Sequence, residues 1–193
     1  MTDQTFEVLN GEHKKLRDMG DGTFAEVVTS AMPLADMLSV VGTLQRPADV
    51  NAYAIGDIIA QSVTAGSCSA IPMAVAIAVD RPGAIIRCRV KVDDQAWLGA
   101  VVAVHIFRDP PTFSNGDNAA FAGGITESNY IDAFDVTLGD QFSDYVSGIG
   151  VARGPRFVAF RPHSGTQNIY CVLETKTAVT PASAKTFTVE FEA

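Results

Sequence analysis

Strict alternation of apolar and polar residues is the feature that most constrains this chain. Val189-Glu-Phe-Glu192, Ile86-Arg-Cys-Arg-Val-Lys-Val92 and Tyr130-Ile-Asp-Ala-Phe-Asp-Val136 all follow it. Successive side chains of a strand point to opposite faces, so a period of two between turn residues means one buried face and one wet face. Short runs of this kind fill the sequence from Thr23 to the C-terminus, and no segment carries a helical period. The chain reads as all-β.

Turn chemistry divides the runs. Asp21-Gly22, inside Met19–Thr23, supplies the positive φ of a tight reversal and predicts a hairpin of Lys14–Met19 with Phe24–Thr29. Ser30–Asp36, with Pro33, reads as a connector. The further strands expected are Ser39–Gln45, Gly56–Gln61, Ala70–Val79, Ala84–Val92, Gly99–Phe107, Ser128–Thr137, Tyr145–Val151, Phe157–Phe160, Ile169–Lys176 and Lys185–Glu192. Strands at this spacing predict an antiparallel two-sheet β-sandwich with jelly-roll topology. Residues 1–33 form an N-terminal arm and hairpin, and residues 34–193 the β-sandwich domain.

Within this scheme Ile86, Cys88, Val90 and Val92 share one face, opposite Arg87, Arg89 and Lys91. Phe187, Val189 and Phe191 form the inward row of the last strand. Gly99–Phe107 is apolar on both faces, as suits a central strand or one covered by a neighbouring subunit. Gly148 and Gly150 read as turn glycines.

At 193 residues with 47% hydrophobic content, one domain has ample material for a core, and roughly 70% of the unfolded surface is buried at this size. A net charge of −8 argues against a general phosphate-binding surface, so no nucleic-acid partner is expected. Cys68, Cys88 and Cys171 are odd in number and widely spaced, which reads as small buried hydrophobes in a chain made in a reducing cytoplasm. The start lacks the basic and apolar stretches of a signal peptide. The longest apolar runs, Ala70–Val79 and Ala96–Phe107, are too short for a membrane helix. A soluble chain with no membrane partner is the expectation.

Asp109–Gly124 breaks the rhythm as an irregular loop, long enough to be functional or disordered. From Asp109 to Asp144 there are seven acids and no Lys or Arg, whereas Arg81–Val92 and Arg153–Arg161 carry bases. Such segregation fits acidic and basic edges meeting between copies, or simply solvated faces. Of the histidines, His105 sits in an apolar strand as a core residue, and His13 and His163 lie in polar turns without a neighbouring site. No nucleophile elbow, zinc helix, phosphate loop or dinucleotide turn occurs. Ser114–Asn118 offers oxygen ligands but not the EF-hand spacing, and its residues equally suit a turn. Trp97, Tyr130 and Phe113 are candidates for an aromatic sugar platform, with Trp97 better placed at the sandwich rim. The acids of the 109–144 segment offer carboxylate pairs for glycoside hydrolysis, as nearly every acidic β-domain does. No catalytic, cofactor-binding or metal-binding residue is assigned, no cofactor is expected, and the chain reads as a non-enzyme.

Gly20-Asp-Gly-Thr-Phe-Ala-Glu-Val-Val28, Arg46-Pro-Ala-Asp-Val-Asn-Ala-Tyr-Ala-Ile-Gly-Asp57, Phe107-Arg-Asp-Pro-Pro-Thr112 with Asn115-Gly-Asp-Asn118, Tyr170-Cys-Val-Leu-Glu-Thr175 and Thr180–Glu190 carry a resemblance. In this order they resemble structural proteins of tailed-bacteriophage virions, and within that group capsid decoration (cement) proteins. The resemblance implies a β-sandwich on the outer capsid surface, made in the host bacterial cytoplasm. It implies the major capsid protein as partner and a homo-oligomer, a trimer in preference to a dimer. The implied role is to bridge neighbouring capsid subunits and stabilise the shell, with the arm at 1–33 reaching a neighbour. The alternative is a tail or fibre module that binds a host receptor or glycan through the 109–124 loop and its Phe113 and Phe121.

Overall fold

The computed structural model describes residues 3–8, 12–18, 24–26, 37–122, 129–154 and 157–193. They belong to two units, Met1–Asp36 and Met37–Ala193. In the first, β1 (Asp3–Val8), β2 (Glu12–Asp18) and β3 (Phe24–Glu26) form an antiparallel sheet in chain order. The expected hairpin is the β2–β3 pair, with Asp18 opposite Phe24. Its turn at Met19–Thr23 and the connector Ser30–Asp36 lie outside the described residues. β1 adds a strand, with Val8 opposite Glu12; Asn10-Gly11 between them is a hairpin signal. His13, expected in a turn, stands in β2 opposite Glu7.

The second unit runs β4 (Ser39–Gln45), β5 (Ile58–Ile59), β6 (Ile71–Met73), β7 (Gly83–Ile85), β8 (Arg87–Val92), β9 (Val101–Phe107), β10 (Tyr130–Thr137), β11 (Asp140–Gln141), β12 (Val146–Ala152), β13 (Val158–Phe160), β14 (Ile169–Thr175) and β15 (Thr186–Glu192). Among the described residues the only helical element is a 3-10 turn at Gln95–Trp97. Ten strands join one antiparallel sheet in the order β4-β15-β8-β12-β10-β9-β14-β5, with β11 on β12 and β6 on β14. β7 and β13 form a separate two-stranded sheet. With the short β11 set aside, β9, β10 and β12 follow one another as neighbours, and β12 comes back beside β8, which is a Greek key.

The large sheet curls until β4 lies against β6. Gly42 makes this approach possible, since a Cβ there would stand 2.5 Å from Ile71 Cγ2 and from Met73 Sδ. Pro72 of β6 has no N–H to donate and sits opposite Tyr170 of β14. Inside the curl the core gathers Trp97, Phe134, Phe187 and Phe191 with the aliphatic rows of β8, β9 and β14. Phe187, Val189 and Phe191 are buried with no exposed surface, as their alternation requires. Each such side chain contributes roughly 1.5–3 kcal/mol on burial.

Several local expectations change. Ala84–Val92 is not one strand. Ile85 of β7 is fully buried while Ile86 is 48% exposed, because the chain leaves the small sheet and enters the large one at that residue and its in–out parity inverts. Ala70–Val79 shrinks to β6, with Ile77 and Val79 exposed beyond it. Trp97 is no rim residue: it is fully buried, edge-on to Phe187 at 4.9 Å between ring centres. Gly148 and Gly150 are not turn glycines but lie within β12. A Cβ at Gly148 would come 1.9 Å from the Thr137 carbonyl oxygen. Cys88 and Cys171 are buried, and burial pushes the Cys171 thiol up to about 12. Cys68 is half-buried and donates to the Ser62 carbonyl at 3.1 Å.

Candidate functional site

The inner face of β9 belongs to the main core, and its outer face is covered too. Phe107 of β9 packs with Val172, Ile58, Ala60 and Phe113 in a second apolar cluster, joined by Phe121 and Tyr130. The cover comes from the long loop. Ile58 N–H donates to the Ala119 carbonyl, Asn118 N–H to Ile58, and Phe121 N–H to Gly56, so described residues up to 122 are laced to β5. The expectation of an irregular loop holds over 109–122; Gly123 and Gly124 lie outside the described residues.

Asp117 is where the loop is fastened. Its Oδ1 accepts from Tyr53 Oη and from Ala60 N–H, both at 2.7 Å. Tyr53 in turn accepts from Arg46 Nε at 3.0 Å, and Arg46 Nη2 lies 3.7 Å from Asp117 Oδ2. Arg46 also donates to the carbonyls of Asp49 and Ala182 and to the Asp49 carboxylate. Arg46, Tyr53 and Asp117 are all buried. Burial raises the Asp117 carboxyl above the ordinary range, against the hydrogen bonds and the Arg46 charge that oppose it. Burial also pushes the Tyr53 phenol up, and Asp117 adds to the effect. Ser114 and Asn115 close the same loop onto the carbonyls of Ala122 and Ala120. Ser114–Asn118 therefore acts as a turn and anchor. Among the described residues no cluster of His, Cys, Asp and Glu has the geometry of a metal site.

His105 is buried in β9, as expected. Its Nε2 lies 2.6 Å from Glu174 Oε2, its ring stacks on Phe121 at 5.0 Å, and Lys176 Nζ is 2.7 Å from the same Glu174 oxygen. Burial works to raise the Glu174 carboxyl, but the bonds from His105 and Lys176 win and hold it at about 2. His163 has a partner that its turn did not announce. Its Nδ1 is 2.7 Å from Asp109 Oδ1, while Arg108 grips Asp109 Oδ2 at 2.8 Å. The Arg108 bond leads in holding Asp109 low. The pair borders an open cleft of about 600 Å³ that Asp80 and Arg161 also line. Held through Nδ1, the imidazole can present Nε2 to a proton donor or acceptor.

Of the segregated charges, Arg87 and Arg89 of 81–92 find acids from the last strand, and Arg153 finds Asp135 of the acidic segment, all within the one chain. Arg87 pairs with Glu192, Arg89 with Glu190 at 3.4 Å, and Arg153 with Asp135 at 2.6 Å. The first two cross from β8 to β15 on the sheet's outer face, where Ile149 and Val151 of β12 stand exposed beside them.

On that face lies a groove of about 390 Å³. One wall is the turn from β11 into β12, which presents Phe142 and Tyr145 with rings 4.5 Å apart and 18° from parallel. Lys91 Nζ covers the Tyr145 ring at 3.9 Å. Phe142 is 48% exposed. The turn is held by the Phe142 N–H to Tyr145 carbonyl bond and by Gln95 donating to the Phe142 carbonyl at 2.6 Å. Arg89, Asp140, Ser147 and Glu190 supply the polar lining. The three candidates for an aromatic platform lie elsewhere: Trp97 and Phe113 are buried, and Tyr130 is half-buried beside His105 and Phe107. Gln141-Phe-Ser-Asp-Tyr145 carried only a turn-like composition, and nothing in it marked Phe142 as exposed.

No protein-family model, curated protein or solved structure matches the chain.

Proposed function

We propose that this chain is a bacteriophage capsid decoration protein, acting mechanically and without catalysis. The observation that carries the proposal is the division into a small sheet-forming unit, Met1–Asp36, and an all-β body, Met37–Ala193. The resemblance of the segments from Gly20 to Glu190 supports it from the sequence side. Three of the resembling segments meet in the Arg46 anchor, where Arg46, Tyr53, Asp117 and the Ala182 carbonyl are bonded together. A body stapled in this way suits a load-bearing role. The first unit is the part that reaches a neighbour. The body binds the major capsid protein on the outer shell, as a homo-oligomer, preferably a trimer. A jelly-roll description of the body belongs to the same proposal, supported by the β8-β12-β10-β9 Greek key.

An interface of standard size buries about 1,600 Å². Copies around a symmetry axis multiply its effect by raising local concentration. Such bridges oppose the outward pressure of packaged DNA. Phe113 is buried and Phe121 is stacked on His105, which favours the capsid reading over the tail-module alternative.

A cryo-EM map of the particle that carries the protein tests the proposal. Density at capsid symmetry axes touching several capsid subunits is the expected result, and density confined to the tail overturns it. Removal of residues 1–36 is expected to weaken capsid binding while the body stays folded. Undiminished binding would remove the first unit from the mechanism.

A further inference from the structure

The Phe142–Tyr145 groove combines properties that core packing does not require. A large aromatic ring is left half-exposed on a turn fixed by hydrogen bonds from Gln95 and from its own backbone. A singly exposed apolar side chain is ordinary, but Phe142 lines a groove together with the exposed Ile149, stacked on Tyr145, and the fixed turn removes the option of folding the ring inward. Tyr145 has Lys91 over its ring and Phe142 stacked on it. The remaining outer face of Phe142 is therefore the contact surface offered to a ligand.

The polar lining narrows the ligand class. Arg89 and Lys91 are balanced by Asp140 and Glu190, so the groove selects neither a polyanion nor a polycation. What it offers is a mixed set of donors and acceptors around an aromatic face. Arg89 holds Glu190 Oε2 only at 3.4 Å and Ser39 Oγ donates to Oε1 at 2.9 Å, which leaves guanidinium donors for a ligand and, on each carboxylate oxygen, a second lone pair to accept from it. A neutral pyranose has matching chemistry: vicinal hydroxyls that both donate and accept, and a face of C–H groups that packs on the negative face of an aromatic ring. About 390 Å³ accommodates one or two sugar rings.

We infer that the groove between the Phe142–Tyr145 turn and the outer face of β8, β12 and β15 binds a neutral saccharide. Phe142 stacks on the sugar, and Glu190, Asp140 and Arg89 bond its hydroxyls. The inference rests on the groove alone and is independent of where the protein sits on a particle, so its failure leaves the capsid proposal standing.

Saturation-transfer NMR on the full chain with glucose, galactose, mannose, N-acetylglucosamine and maltotriose tests it. Protein-observed shifts map the contact. At least one sugar is expected to bind with a Kd of order 1 mM, shifting Tyr145, Ser147 and Lys91. Phe142→Ala is expected to weaken binding at least tenfold and Glu190→Gln about threefold, with Phe142→Tyr retaining it. Circular-dichroism melting confirms that each variant is folded, and Phe142→Tyr keeps the test valid if Phe142→Ala is not. Three results would overturn the inference. One is no transfer to any sugar up to about 50 mM, far above the millimolar range of small contacts. Another is binding limited to glucuronic acid or heparin. The third is an oligomer seen by sedimentation that Phe142→Ala dissolves while sugars have no effect, which would make the groove a contact between copies.

Discussion

Tyr53 donates its phenolic hydrogen to Asp117 Oδ1 at 2.7 Å, joining residues 64 positions apart inside the protein. The bond ties the middle of the long loop to the segment after β4, and Arg46 carries the tie on to the Ala182 carbonyl before β15. Because Arg46 and Asp117 are buried, neither charge has water to fall back on. Asp117→Ala removes the acceptor of the Tyr53 hydroxyl and of the Ala60 N–H while Arg46 keeps Asp49 at 3.0 Å, and is expected to destabilise the body by about 2–5 kcal/mol, roughly 1–3 for each buried donor left unsatisfied. Tyr53→Phe is expected to lose about 1–3 kcal/mol. Urea unfolding at neutral pH measures both. The double variant should lose less than the sum of the two, since the residues share one network. Strict additivity would mean that the anchor does not act as a unit.

Glu174 makes stability depend on pH. Its carboxyl sits at about 2 in the folded chain against an ordinary 4.5. A group lowered on folding stabilises fully above its unfolded value and loses that contribution as pH falls through its folded one. The loss therefore runs from about pH 5 to pH 2, and a separation of this size amounts to about 3 kcal/mol. Asp109 and Asp135 are lowered in the same direction by Arg108 and Arg153. Asp117 is raised and works the opposite way, gaining as the pH falls. Urea unfolding of the wild type between pH 5 and pH 2 should show a steep decline, and Glu174→Gln should leave a shallower one. An unchanged slope in the variant would show that the His105–Glu174–Lys176 bonds do not set it.

What the sequence made legible was whatever a single strand or turn encodes. Alternation placed Phe187, Val189 and Phe191 inward because the period of two is a local property of the backbone. The unbroken apolar character of β9 correctly marked it as covered on both faces, but not by what; the cover is Phe113 and Phe121 from the loop that follows. Ile86 was assigned to the wrong face because a change of sheet inverts parity without any change in composition. The Arg46 anchor was out of reach for another reason: Arg46 is 7 positions from Tyr53 and 136 from Ala182, Tyr53 is 64 from Asp117, and only the tertiary fold brings them together. Phe142 escaped notice because exposure of an aromatic ring is settled by tertiary packing, and a short turn has none of its own.

Gly148 shows how closely the groove depends on backbone approach. β12 begins paired with β11 at Val146 and Ser147 and joins β10 only from Gly150, passing directly over the Thr137 carbonyl in between. At Gly148 a methyl group would stand 1.9 Å from that oxygen and 2.7 Å from its carbon, and neither is the end of a flexible side chain. Gly148→Ala must therefore displace β12 from β10, at about 3 kcal/mol, a fall in Tm of roughly 10 °C for a chain of this size. Gly139 provides the comparison. It lies just before β11, and a methyl group there meets nothing within 4 Å. Gly139→Ala is expected to change stability by no more than about 0.5–1 kcal/mol, in the stabilising direction if the unfolded chain loses freedom. Thermal unfolding of the two variants separates them. Because β12 carries Ser147 on the groove floor and begins one residue after Tyr145, the displaced strand in Gly148→Ala should also disturb the stacking of Phe142 on Tyr145. Shifts of the aromatic resonances report this directly. A Gly148→Ala protein with native stability and unmoved Phe142 and Tyr145 signals would show that β12 has room to move away from Thr137, and that the close approach is not what fixes the groove.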